Sequence, residues 1–225
     1  MSFGVYTMNL DHVVKLRRNR AFKSAYAKAR YVTADGFPIV WAGRLRGMSA
    51  ERVAGSDLID PICEAAAREG LPIYLFGSSF DALSRCARQL TARYPNLQIA
   101  GAASPEADFD PASPQAADYA RLIAESGARI CFVALGAPKQ EIFTAGALVN
   151  SPGLAFVCIG AGLDFIAGVQ KRAPQWARTA GVEWLWRLLS NPARLARRYL
   201  DCLLVLPVVL LGSRADGTPT AEASP

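Results

Sequence analysis

Apolar and polar positions follow two rhythms along this chain. Residues 3–7, 71–76, 97–100, 130–135 and 154–159 are short apolar runs with the length of buried strands. Between them the apolar positions recur every three or four residues. Val13, Val14, Leu16, Ala21, Phe22 and Ala25 predict one helix over 10–28, and similar spacing predicts helices over 60–69, 80–94, 113–126 and 138–149. Punctuation supports the pattern: Asn9 or Asp11 suits a helix start, Asp60-Pro61 and Ser113-Pro114 read as cap and first turn, and Gly70 as a stop. Residues 31–33 and 38–41 read as two short extended pieces around an Ala34-Asp35-Gly36 turn. Strands alternating with helices of this length predict a Rossmann-like, doubly wound, mainly parallel α/β sheet over residues 1–170. Ligands of such sheets bind beyond the carboxyl ends of the strands, where Gly77, Gly136 and Gly160 fall.

After Ala173-Pro174 the character changes. Residues 176–189 form an aromatic, basic helical stretch, Asn191-Pro192 restarts a helix, and 199–211 is almost wholly apolar. That last run is too short to span a bilayer, which takes roughly 20 residues, and it contains Asp201 and Pro207. A basic stretch leading into an apolar one predicts a helical appendage over 171–211 lying in the membrane interface. The competing expectation is a helix docked on the body of the protein or on another subunit. Residues 212–225, rich in Ala, Ser, Thr, Gly and Pro, read as a disordered tail.

Charge sharpens this picture. The net charge of +6 over 225 residues is uneven: Lys171, Arg172, Arg178, Arg187, Arg194, Arg197 and Arg198 stand against Glu183 alone. Such a field suits phosphate, on a lipid surface, a nucleic acid or a phosphorylated substrate. The five cysteines have no CxxC spacing and lie mostly in apolar runs, which predicts buried, reduced thiols and no zinc site. The start, Met1-Ser-Phe-Gly-Val-Tyr, has no basic region followed by an apolar one, so a protein that stays inside the cell is expected.

The stretch Gly136-Ala-Pro138-Lys139-Gln140-Glu141 follows a strand and opens a helix, whose first N–H groups could receive an anion such as a nucleotide phosphate; an ordinary α/β turn has the same pattern. Gly160-Ala-Gly162 suggests a dinucleotide loop, yet position 165 is Phe and the motif comes late in the chain. Asp108-Phe-Asp110 resembles a metal-holding DxD, but no third carboxylate stands nearby in its Pro-rich loop. There is no GxxxxGK[ST] loop and no GxSxG elbow. His12, the single histidine, is expected in a cap or on the surface.

The ordered set Thr7-x-Asn9, Thr33-Ala-Asp35-Gly36-x-Pro38, Arg52-Val-x-Gly55-x-Asp57-Leu58, Gly136-x-Pro138-Lys139-Gln140-Glu141, Gly160-x-Gly162-x-x-Phe165 and Arg172-Ala-Pro-x-Trp176 resembles the WecG/TagA/CpsF family of bacterial glycosyltransferases. The resemblance runs from about residue 3 to residue 200. It implies inverting transfer of a hexose, such as N-acetylmannosamine or glucose, from a UDP-sugar to a polyprenyl-diphosphate-linked sugar at the inner membrane face, with no cofactor and no obligatory metal. It further implies Asp35 as general base and Thr7 and Asn9 in the acceptor pocket. Gly136, Pro138, Lys139, Gln140, Glu141, Gly160 and Gly162 would lie on the donor side, and Arg187, Arg194 and Arg197 would bind diphosphate. A nucleotide-sugar enzyme of another reaction type and a membrane-bound scaffold remain the alternatives; nucleic acid is not expected, and subunit pairing through 199–211 is the other role open to that segment.

Overall fold

The structure, a computed structural model, describes residues 1–171, 173–179, 183–190 and 192–211. In chain order the elements are β1 (Phe3–Met8), α1 (Leu10–Arg18), α2 (Arg20–Tyr26), β2 (Tyr31–Ala34), α3 (Phe37–Leu45), α4 (Ile59–Glu69), β3 (Ile73–Gly77) and α5 (Phe80–Arg93). There follow β4 (Ile99–Ala103), α6 (Pro114–Glu125), β5 (Ile130–Ala134), α7 (Lys139–Ala147), β6 (Ala155–Cys158) and α8 (Gly162–Ile166), then α9 (Gln175–Thr179), α10 (Glu183–Ser190) and α11 (Pro192–Leu211). The strands form one six-stranded sheet in the order β2-β1-β6-β5-β3-β4, with every pairing parallel.

Both faces of the sheet are covered, which is why the central strands are apolar throughout rather than alternating. On one face Ile59, Cys63 and Ala66 of α4, Leu83, Cys86 and Leu90 of α5, and Leu163 of α8 pack on Leu75, Phe132 and Val157. On the other, Ala120 and Ile123 of α6 and Phe143 of α7 pack on Tyr6, Phe76, Val133 and Phe156. All five cysteines are buried and unpaired, and burial raises the thiols of Cys63 and Cys86 to about 12.

Three sequence expectations are corrected. The helix expected over 10–28 is two helices, because Asn19 is extended and its side chain accepts from the Phe22 N–H, capping α2. Residues 38–41, expected as extended, belong to α3. Gly36, at φ 108, turns the chain directly from β2 into a helix whose first turn holds Pro38. Pro138 precedes α7 as its cap instead of opening it, and Gly136 reaches φ 70 in the turn before it. The start of α4 lies slightly earlier than Asp60, while Gly70 closes it in the left-handed conformation as expected.

The helix α11 lies on the body. Arg18 of α1 grips Asp201 with both guanidinium nitrogens at 3.1 and 3.2 Å, Arg198 reaches Asp11 at 3.1 Å, and Arg46 donates to the Val209 carbonyl at 2.9 Å. No helix among the described residues is long and apolar enough to cross a membrane. The tail expected over 212–225, with Arg172 and Asn191, lies outside the described residues.

Candidate active site

The strand order sets out the site. Since β2, β1, β6 and β5 are adjacent, the residues just past their carboxyl ends form a row: Asp35, then Asn9, then Gly160, then Gly136. With strands about 4.8 Å apart, Asp35 and Gly160 stand about 10 Å apart, roughly a sugar with part of its diphosphate.

At one end of the row, Thr7 pairs with Thr33 and Met8 with Ala34. The Asp35 N–H then donates to the Met8 carbonyl at 2.7 Å, which fixes the aspartate beside β1. Asn9 has two jobs. Its Oδ1 caps α1 by accepting from the His12 N–H at 3.1 Å, and its Nδ2 points to Asp35 Oδ2 at 3.5 Å, the outer limit of a hydrogen bond. Beneath them, the Thr7 carbonyl accepts from the Tyr26 hydroxyl at 2.6 Å and from His12 Nδ1, in the Nδ1–H tautomer, at 2.7 Å. Burial holds His12 down at about 4, so the ring is neutral at neutral pH. His12 is therefore neither a surface nor a capping side chain but a buried prop for the end of β1. A lone histidine gives no such signal in sequence, because its partners Thr7 and Tyr26 lie on other elements.

At the other end, Gln140 and Glu141 are buried in the first turn of α7. Gln140 Oε1 accepts from the Gly160 N–H at 3.1 Å, and its Nε2 donates to Glu141 Oε1 at 2.8 Å. The motifs around 136–141 and 160–165 are thus stitched together by one side chain. Glu141 Oε2 is buried without a hydrogen-bond partner, and burial raises its carboxyl to about 7, against the weaker opposing effect of the Gln140 hydrogen bond. Lys139 points away, donating to Ala107 at 3.1 Å beside a cavity of about 220 Å³ lined also by Ser78, Phe109 and Leu135.

Lys15 joins the two ends. Its ammonium donates to Asp11 at 2.6 Å and to the Ala137 carbonyl at 2.9 Å, tying α1 to the loop before α7. Further along the same edge, Asp164 accepts from Ser78 Oγ and, at 2.6 Å, from Gln170 Nε2. Ser78 has φ 59, the single positive φ outside glycine among the described residues. Asp164 occupies a variable place in the Gly160-x-Gly162-x-x-Phe165 pattern, so the motif itself gave it no role.

A comparison with known families decides what this arrangement is. The Glycosyl transferase WecG/TagA/CpsF family matches residues 2–217. The chain belongs to that family. In this WecG/TagA/CpsF chain Thr7, Asn9 and Asp35 lie at the ends of β1 and β2, and the Gln140 side chain of α7 reaches Gly160 beyond β6. Its basic segment is split. Arg187 lies on α10, which ends at Ser190, and Arg194 and Arg197 on α11, which begins at Pro192; the Arg197 side chain is exposed, while those of Arg187 and Arg194 lie outside the described residues. The Asp108-Phe-Asp110 pair is a loop former: Phe109 is buried, both aspartates point to solvent, and Asp110 Oδ1 accepts from the Ala112 N–H at 2.9 Å. Among the described residues no group of three His, Cys, Asp or Glu is placed to hold a metal ion.

Proposed function

We propose that this glycosyltransferase moves a hexose, N-acetylmannosamine, glucose or a close relative, from a UDP-sugar to a polyprenyl-diphosphate-linked sugar, with inversion and without a metal, at the inner face of the cytoplasmic membrane. The observation that supports it best is the row of strand ends on which Asp35 and the Gln140–Gly160 tie stand two strands apart, about 10 Å at the usual strand spacing. The Asp35 carboxylate takes the proton of the acceptor hydroxyl as that oxygen attacks the anomeric carbon from the face opposite the UDP. Thr7 and Asn9 flank the acceptor, and Asn9 Nδ2 orients the carboxylate. The bond to UDP breaks, and its growing negative charge is met by the backbone N–H groups at the start of α7 that the fold does not itself use and by arginines of α10 and α11, whose planar forks match phosphate oxygens. The segment 1–170 acts as the catalytic unit and 171–211 as a basic, lipid-facing cover in this scheme.

The test is product analysis by mass spectrometry with a panel of UDP-sugars and a short-chain lipid-diphosphate acceptor. Asp35→Asn is expected to keep the fold and UDP binding while lowering turnover by about 10²-fold or more, as for loss of a general base. Unchanged turnover in that variant rejects Asp35 as the base.

A further inference from the structure

The helix that begins just after Asp35 carries a feature that neither the donor nor the acceptor chemistry uses. Its inward positions Val40, Ala42 and Gly43 are buried. Its outward positions are large and apolar: Trp41 is 51% exposed, Leu45 63%, and Met48 in the following turn 58%. Phe37 stacks at a tilt on Trp41, ring centres 6.0 Å apart, so the indole is held in place although half of it faces solvent. A globular surface tolerates single exposed apolar residues, but two on one short helix with a third in the turn that leaves it call for an occupant.

The patch continues onto a second helix. Arg46, in the turn leaving α3, bonds the Val209 carbonyl and so fastens α11 alongside. The outer side of α11 presents Leu200, Leu204, Val208 and Leu211, spaced four, four and three residues apart, one stripe of a helix. The charged groups within the two stripes and just before the second are mainly basic. Residues 37–48 hold Arg44 and Arg46 and no acid, and Arg44 is exposed; on α11 the exposed Arg197 and Arg198 precede the stripe, and the one acid, Asp201, is held by Arg18. An apolar strip with a basic margin and a tryptophan at its edge complements an anionic bilayer: tails for the stripe, headgroups for the arginines, the interface for the indole.

We propose that the outer face of α3, Trp41, Leu45 and Met48, is a membrane-inserting wedge that seats with the α11 stripe on an anionic lipid leaflet. The element that enters the lipid is then the one that starts at the candidate base, and Asp35 is held at a fixed height above the headgroups from which a lipid-diphosphate acceptor projects. This inference rests on the membrane-facing function proposed above, and it adds a contact that the basic C-terminal segment alone does not provide.

The experiment uses the full chain and phosphatidylcholine vesicles with and without phosphatidylglycerol. Replacing Trp176, Trp184 and Trp186 by Phe leaves Trp41 as the single indole. Vesicles with acyl-brominated lipid are expected to quench and blue-shift it. In the otherwise native chain, Trp41→Ser with Leu45→Ser is expected to lower partition onto phosphatidylglycerol vesicles by about 10²-fold, with the chain still folded and transfer to a water-soluble acceptor unchanged. If Trp41 is not quenched and the double variant binds vesicles as the native chain does, the α3 wedge is wrong while the membrane-facing reading stands. If the native chain ignores vesicles and forms a dimer that the double variant dissolves, the occupant is a second copy, and both the wedge and the membrane placement fall.

Discussion

Exchanging two neighbouring buried side chains tests whether Gln140 holds the 136–141 and 160–162 turns together. Gln140 accepts from Gly160 N–H at 3.1 Å and donates to Glu141 at 2.8 Å, so Gln140→Leu strands one N–H and one carboxyl oxygen. Each stranded group costs about 1–3 kcal/mol, or about 2–6 kcal/mol together. Gln140→Glu keeps the acceptor for Gly160 but sets two carboxyls against each other, one of which must stay protonated, at a cost of about 2 kcal/mol. Adding Glu141→Gln reverses the polarity of the pair: the new carboxylate at position 140 receives both the Gly160 N–H and the new amide at position 141. The double variant is therefore expected to recover at least about 1 kcal/mol relative to Gln140→Glu alone beyond what Glu141→Gln gives in the native background. For a chain of 225 residues each kcal/mol moves the midpoint by about 2–4 °C, well within calorimetric reach. Calorimetry at pH 8, paired with the donor KM of each variant, reads both stability and site geometry. Additive effects with no recovery in the exchanged pair refute the bridge.

The remaining expectations concern single groups. Burial raises the Glu141 carboxyl to about 7, so its contribution to stability is complete below the ordinary carboxyl range and lost as pH rises through about 7. Glu141→Gln should therefore remove about 3 kcal/mol of destabilisation between pH 5 and pH 8, seen as a flatter midpoint-against-pH curve; a curve parallel to the native one refutes the shift. Tyr26→Phe takes one donor from the Thr7 carbonyl but leaves His12, so the midpoint should fall by about 2–4 °C and the acceptor KM should rise while the donor KM holds. Deletion from Tyr199 onward should weaken sedimentation with anionic vesicles, and equal sedimentation would reject a lipid role for α11.

Periodicity made the alternation of strands and helices legible, because burial on both faces of a parallel sheet leaves runs that propensity alone can find. It failed where one residue decides. The segment 38–41 looks extended because Ile39, Val40 and Trp41 favour strands, yet Gly36 and Pro38 start a helix there. Asn19 sits inside a good helical pattern but caps the next helix through its own Oδ1, a local competition that spacing does not register. Asp35, Asn9 and Gln140 were singled out through family motifs, whereas what joins them was hidden. Whether β6 lies between β1 and β5, and hence whether Gly160 faces Gln140, is a matter of topology. The props His12, Tyr26 and Lys15 act through carbonyls on other elements, and no pattern in their own neighbourhood reports that.

Asp11 is a small detail with a wide reach. It is buried at the start of α1 and receives two cations, Lys15, which also holds the Ala137 carbonyl in the loop before α7, and Arg198, which belongs to α11. One carboxylate is thereby shared among three separate parts of the molecule. Linkage runs equally in both directions: by whatever amount the docking of α11 changes the stability of the 136–138 loop, the settling of that loop changes the docking of α11. Through this carboxylate the seat of the last helix and the shape of the loop before α7 are set together.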